Sequence, residues 1–401
     1  MGQADRVVVA GAGPTGLATA LGLVRRGIPA LVVEAEAALT VDLRAGTYHP
    51  PTVEMLDGLG VGDKLRAIGI PVPQWQIRDR RLGVVAQFDL GLLKGETPYP
   101  FRLHCEQHKL TPILLEAVLA AGGEVRFSTR FESMTQDDDG VGIEVVGPHG
   151  RERLQAAFLV GADGGRSQVR KAIDMAFEGF TWPEIFLVAS TTEDLGRHGY
   201  TGNAYIADPV EWVAIFIMPH LGPPGIWRMA FPVDASVPED TILSAEFVEA
   251  RLQGFHPKPG TFDVPYKSIY RVHQRVAADF RRGRVLLAGD AAHINNPLGG
   301  MGLNSGIHDA VNLADKLGQV LRGEAPIALL DRYVRQRRQT NIEHVQAQSI
   351  RNKQMLEERD PAVRSQRLDE VRRTAADPVA AKKFLMRTSM IDSVRRAATI
   401  E

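Results

Sequence analysis

Cysteine is almost missing from this chain: Cys105 stands alone in 401 residues. A disulfide framework within the chain is thereby excluded, and a reducing cytoplasm is the expected setting. Charge of one sign is not in excess either. Lys and Arg number 47 against 48 Asp and Glu, a formal net charge of -1. That balance gives no electrostatic case for nucleic acid. No apolar run approaches the ~20 residues of a membrane-spanning helix. No basic, then apolar, leader precedes the first strand. No membrane partner is therefore expected. Internal repeats and low-complexity tracts are missing. His104 and His108 are four apart, but no third ligand has matching spacing, so no metal is expected.

What is present is a globular composition, 44% hydrophobic and 24% charged, in a chain too long for one ordinary core. Residues 6 to 36 read as strand, tight turn, helix, strand. Val7 to Ala10 is a continuous apolar run, the pattern of a parallel strand buried on both faces. Gly11, Gly13 and Gly16 then fit G-x-G-x-x-G. The first glycine makes the turn, the second lets backbone approach a pyrophosphate, and the third lets helix pack on strand. The helix N-terminus faces the anion with free N–H groups. Glu34 ends the second strand 18 residues after Gly16, where an acid bonds ribose hydroxyls and disfavours a 2′-phosphate. The bound adenosine is expected to be NAD-like or FAD-like.

A second glycine-rich segment lies about 280 residues on, Gly289-Asp290-Ala291-Ala292-His293 through Pro297-Leu298-Gly299-Gly300-Met301-Gly302-Leu303-Asn304. Asp290 is placed at the end of a buried strand, where its carboxylate could accept bonds from a polyol. Pro297 to Gly302 reads as a loop where backbone can approach a flat ring. The helix beginning near Gly302 aims N–H groups at whatever sits there. A glycine-rich turn with a capping aspartate is the other reading. Residues 183 to 265 are rich in short strands and antiparallel in character. Beyond Pro326 the chain is helical, with Asp360-Pro361 and Asp377-Pro378 breaking its last stretch into short helices.

These motifs resemble the class A flavoprotein aromatic hydroxylases, the para-hydroxybenzoate hydroxylase type. Three motifs stand in that family's order: Gly11 to Gly16, Gly161-Ala162-Asp163-Gly164-Gly165-Arg166-Ser167, and Gly289-Asp290 with its loop. The resemblance implies an α/β fold: a Rossmann-like FAD-binding domain from residues 1–71, 98–177 and 266–345, an inserted strand-rich substrate domain from 72–97 and 178–265, and a C-terminal helical tail, 346–401. It implies FAD as cofactor and NADH or NADPH as transient electron donor. Only one G-x-G-x-x-G is present, which fits a nicotinamide that binds and leaves. The implied reaction transfers one atom of dioxygen to a phenolic or related aromatic substrate through a flavin hydroperoxide. A same-fold FAD oxidoreductase (ring-opening, epoxidising or reducing) is one alternative, and a non-catalytic FAD-binding sensor is another. A homodimer is left open.

The resemblance also assigns residues. Asp163 is implicated in FAD and nicotinamide binding, Asp290 in ribitol binding, and Arg44 in pyrophosphate binding. Gln107 matches a glutamine on the flavin's ribityl side. Pro297 matches the proline beside the reacting face. Gly300 and Gly302 belong to the isoalloxazine loop, and Leu303 and Asn304 offer backbone N–H groups to the flavin pyrimidine oxygen. Tyr48 and His49 sit in a loop that could polarise a phenolic substrate; loop packing ahead of a helix is the competing reading. Tyr205, His220, Trp227 and Arg228 belong to the strand-rich half that should cover the substrate and are candidates to line its pocket, Tyr205 and His220 as candidate catalytic residues; sequence does not fix which face is inward.

Overall fold

A computed structural model describes residues 6–41, 45–220 and 224–401. The first of two large sheets has six strands. In spatial order the strands are Arg281–Arg282, Val285–Leu287, Phe158–Gly161, Val7–Ala10, Ala30–Val33 and Glu124–Arg126. All neighbours are parallel except Arg281–Arg282 at one edge. Val7–Ala10 and Phe158–Gly161 are buried at every residue, which is why they read as unbroken apolar runs. The helices Pro14–Val24 and Gly302–Leu321 meet so closely that a Cβ on Gly22 would lie 2.7 Å from the Ala314 Cβ. Burial of Leu17 and Leu21, both 0% exposed, stabilises this layer by roughly 1.5–3 kcal/mol per side chain.

The second sheet has eight strands, in the order His293–Ile294, Tyr266–Ala277, Phe177–Thr191, Ile226–Asp234, Val213–Met218, Asn203–Ala207, Gln74–Asp79 and Gly83–Asp89. It is antiparallel except where Asn203–Ala207 runs parallel to Gln74–Asp79. Tyr266–Ala277 and His293–Ile294 belong to this sheet although they lie outside residues 72–97 and 178–265. One face, with Leu187, Met229 and Phe231, packs on the helix Ala245–Phe255. The other, with Trp75, Tyr205 and Ala230, packs on Leu298 and on helices of the tail.

That tail comprises Ala347–Glu357, Pro361–Ala376, Pro378–Thr388 and Ile391–Ala398. Asp360 and Asp377 each cap the helix that follows, accepting N–H bonds from Ala362 and Val363 and from Val379 and Ala380. Proline at the first helical position completes both stop-and-restart signals. Between residues 50 and 68 two helices form, Pro50–Gly58 and Gly62–Ile68, with Gly60 at φ +64 in the turn. Leu56, Leu59 and Leu65 are buried, whereas Ile68 is 43% exposed at the helix end. Among the described residues no helix is long and apolar enough to cross a membrane.

Candidate active site

The first glycine loop is locked by its neighbours and open at one point. Gly11 has φ +105, and a Cβ there would sit 2.4 Å from the Ala162 carbonyl oxygen. A Cβ on Gly16 would sit 1.9 Å from the Gly11 oxygen. Gly13 differs: a Cβ on it would meet nothing within 4 Å. The helix Pro14–Val24 that starts after Gly13 has no side-chain cap. Glu34 is half-buried, and its carboxylate accepts the Ala12 N–H at 2.7 Å and the Glu36 N–H at 2.9 Å. A carboxylate has about four lone-pair sites, so acceptor capacity remains for ribose hydroxyls.

The second segment packs directly on the first. A Cβ on Gly289 would lie 2.6 Å from the Thr15 hydroxyl oxygen, and one on Gly306 would lie 2.3 Å from it. Asp290 is exposed and sits in a single 3-10 turn, Gly289–Ala291, after the strand has already ended at Leu287. The expected strand-end position is thus corrected by one tight turn, enforced by Gly289 at φ +60. Behind that turn lies buried Asp309. It accepts the Gly289 N–H at 2.9 Å, His293 Nε2–H at 2.6 Å and Arg337 Nε–H at 2.6 Å. Burial alone would raise its pKa, but His293 and Arg337 together hold it well below the ordinary carboxylate range.

The loop that follows is clamped from two sides. Pro297, half-buried, accepts the Gly300 N–H at 2.9 Å. The Gly299 N–H donates to Tyr205 Oη at 2.6 Å, and His49 Nε2–H donates to the Gly299 carbonyl at 2.8 Å. Asn304 is fully buried. Its Oδ1 accepts the His49 N–H at 2.8 Å, and its Nδ2 donates to the Thr47 carbonyl and to the Gly300 carbonyl. The side chain of Asn304 therefore joins the residue 47–49 strand to the loop, a role beyond the backbone one expected. Gly300, at φ +64, leaves room for Thr47, since a Cβ would come within 2.9 Å of it. The helix beginning at Gly302, with Leu303 next, has no side-chain cap.

The helices Pro14–Val24 and Gly302–Leu321 start without a side-chain cap, as do others such as Pro50–Gly58 and Gln107–Ala120, but these two begin directly at the two glycine-rich loops. Free N–H groups at a helix start are an anion site. Together with the open Cβ position at Gly13, they fit a dinucleotide laid from the first loop to the second.

Other expected residues have more local duties. Asp163 accepts the Ser167 hydroxyl at 2.5 Å, the Gln168 N–H at 2.7 Å and the Val169 N–H at 3.1 Å, so its side chain is turned onto a short helix. Burial pushes its carboxyl above the usual value against the pull of those bonds. Gln107 begins the helix Gln107–Ala120, half-buried, with its N–H on the Ala45 carbonyl at 2.8 Å. Arg44 lies outside the described residues. His49 is buried and held neutral, well below its ordinary pKa, mainly by burial, and its Nε2–H is engaged by the loop. The Tyr48 hydroxyl is buried without a partner.

On the substrate side, alternation along the strands decides which residues point inward. Tyr205 and Arg228 share the face that looks at the loop, where Phe216 pairs in register with Arg228. Trp227 points the other way, into the core under Ala245–Phe255. His220 does not join the pocket: it is exposed, past the end of Val213–Met218. Sequence reasoning missed Trp75, Arg102 and Phe384. Trp75 lies 5.5 Å from both the Tyr205 and Phe384 rings, and the Arg102 guanidinium lies 4.5 Å from the Trp75 ring centre. The signal for Arg102 was a charged residue inside an otherwise strand-like stretch, Phe101 to Cys105. Phe384 had none, because it arrives from the tail.

Comparison with known proteins agrees with this geometry. The model of the FAD binding domain family matches residues 5–348. The chain is 36% identical over 386 residues to para-nitrophenol 4-monooxygenase of Pseudomonas sp. (strain WBC-3), covering 95% of this chain and 94% of that protein. It is 32% identical over 363 residues to 6-hydroxy-3-succinoylpyridine 3-monooxygenase of Pseudomonas putida, covering 90% and 91%. The crystal structure of p-nitrophenol 4-monooxygenase from Pseudomonas putida DLL-E4 superposes with a TM-score of 0.91 at 33% identity, covering 98% of each chain. The chain belongs to the FAD-binding-domain family, among the class A FAD-dependent aromatic monooxygenases.

Proposed function

We propose that this monooxygenase is driven by NADH or NADPH and hydroxylates a small single-ring phenol, with 4-nitrophenol the first compound to test. The carrying observation is the aromatic face beside the Gly299 loop, where the Trp75 ring lies 5.5 Å, centre to centre, from both the Tyr205 and the Phe384 rings. The two relatives that match nearly end to end act, by name, on a nitrophenol and on a hydroxypyridine.

FAD, when bound, supplies the electrons and the activation of dioxygen. The chain's own residues position and exclude. Gly13 and the uncapped helix after it would hold the pyrophosphate, Glu34 the ribose, and Asp290 the ribityl chain. The helix start at Gly302-Leu303 would face negative charge on the flavin ring. Asn304, His49 and Tyr205 fix the loop between cofactor and substrate, so geometry is set before substrate arrives. Trp75, Phe216 and Phe384 keep water from the reacting atoms. The single cysteine and a nicotinamide donor suit the cytoplasm.

The test is direct. Purified protein should carry FAD absorbance or regain it on reconstitution. NADH or NADPH oxidation should then be stimulated by phenols with matching oxygen uptake. A colourless protein that cannot be reconstituted would end the reading. Oxidation indifferent to every phenol would favour a reductase.

A further inference from the structure

Arg102 is 2% exposed, yet among the described residues its side chain has neither a carboxylate partner nor a hydrogen bond, and its Nε is buried without one. Buried charges are normally paired, because removing a cation from water is costly. The other pocket arginine follows that rule: Arg228 lies 3.7 Å from Glu106, which Lys109 also holds at 2.9 Å.

The groups facing Arg102 do not supply the missing negative charge. His104 donates Nδ1–H to the Ile217 carbonyl at 2.9 Å, and burial lowers its pKa to about 3. His49 is likewise neutral. Burial raises the Tyr205 phenol to about 12, so it keeps its proton. Arg102 itself is lowered by burial to about 10, and so remains a cation at neutral pH.

Its location connects it to the reaction. Arg102 stacks at 4.5 Å on Trp75, which lies 5.5 Å from Tyr205, whose hydroxyl holds the Gly299 N–H. Further buried polar atoms lack partners: His104 Nε2 on the same strand, and both side-chain atoms of Asn203, which pairs in register with Phe216, whose ring lies 6.1 Å from that of His104. A flat hydrogen-bonding cation against aromatic walls suits an oxygen anion on an aromatic ring. We propose that Arg102 binds the ionised hydroxyl of the substrate, so that the pocket selects phenolates over neutral phenols. The proton leaves to solvent as the phenolate binds, and no base within the chain is required. This rests on the phenol reading given above.

The experiment uses FAD-loaded protein without NADH or NADPH. 4-Cyanophenol, which has an ionisable hydroxyl and no nitro group, is titrated across pH and followed by its own phenolate absorbance. 4-Nitroanisole, with a nitro group and no hydroxyl, is the control. In the native protein the bound cyanophenol should ionise at lower pH than in water. Arg102→Gln should raise that pH and weaken phenolate binding about thirtyfold. Arg102→Lys should restore part of both, and all three proteins should bind 4-nitroanisole alike. An Arg102→Gln protein with native FAD content and phenolate affinity would overturn the proposal, as would an equal loss of 4-nitroanisole. Should that variant not fold, the native protein and Arg102→Lys decide: ionisation of bound cyanophenol at or above its pH in water overturns it. If the native holoenzyme binds neither compound, the phenol reading itself fails.

Discussion

Tyr205 Oη accepts the Gly299 N–H at 2.6 Å, joining the substrate-side sheet to the cofactor-side loop by one buried hydrogen bond. At the other end of the same residue, His49 Nε2–H reaches the Gly299 carbonyl at 2.8 Å. The loop is therefore gripped from the sheet and from the residue 47–49 strand, and its position does not depend on the substrate.

Tyr205→Phe should keep FAD but loosen that grip. Leaving the buried Gly299 N–H unpaired costs about 1–3 kcal/mol. A thermal melt should show a fall of a few degrees, about 2–4 °C per kcal/mol for the shorter domains for which such slopes are known. The ratio of hydroxylated product to NADH or NADPH consumed should drop as well. An unchanged ratio would show that loop position does not control oxygen transfer.

The two loop glycines separate folding from binding. Gly11→Ala puts a Cβ 2.4 Å from the Ala162 oxygen at φ +105 and should destabilise by roughly 1–3 kcal/mol. Gly13→Ala meets no atom within 4 Å and should leave the apoprotein within about 0.5 kcal/mol of native. Its loss should be seen in FAD affinity, measured by fluorescence titration of apoprotein. Equal FAD affinity in Gly13→Ala and native protein would contradict the placement of the pyrophosphate.

Asp309→Asn should destabilise by about 3–5 kcal/mol, because Arg337 is left buried without its counter-charge. The pH dependence has a definite sign. The folded Asp309 carboxyl ionises below its unfolded value, so its contribution is present above the ordinary carboxylate range and fades as pH falls below that range. Denaturant titrations of native protein against pH should lose stability on the acid side, and Asp309→Asn should show a flatter acid limb. FAD content should fall too, since Asp309 holds the Gly289 turn that presents Asp290.

Asp290→Ala and Asp163→Ala should differ in kind. The first should lose FAD or its orientation while the protein stays folded, as expected of an exposed side chain. The second removes the acceptor of the Gln168 and Val169 N–H groups and should lower stability by about 0.5–2 kcal/mol. Stopped-flow reduction by NADH and NADPH then shows whether Asp163 has a further role toward nicotinamide.

Much of the cofactor side was legible in order because its signals are local. A buried parallel strand must be apolar on both faces, and Gly11 and Gly16 are required by contacts with Ala162 and with Gly11 itself. Asp360-Pro361 and Asp377-Pro378 are equally local, since cap and first helical residue are adjacent. The substrate side was not. Tyr205 and Trp227 lie in the same sheet, with the strand Val213–Met218 between theirs, but on opposite faces, and one residue of register would exchange them. Arg102 and Phe384 meet the same tryptophan from segments about 280 residues apart, which no periodicity links. His220 falls in the strand-rich half, yet it lies exposed beyond the strand end at Met218.

The central claim is oxygen transfer from dioxygen to a phenol by the FAD-loaded chain. It is tested most directly by turnover of 4-nitrophenol under ¹⁸O₂ with NADH or NADPH and mass analysis of the aromatic product. The account predicts one ¹⁸O atom in the product, none without reduced nicotinamide, and none from H₂¹⁸O under ordinary dioxygen. Nicotinamide oxidation that yields only hydrogen peroxide, with 4-nitrophenol and every other phenol tested returned unlabelled, would contradict it.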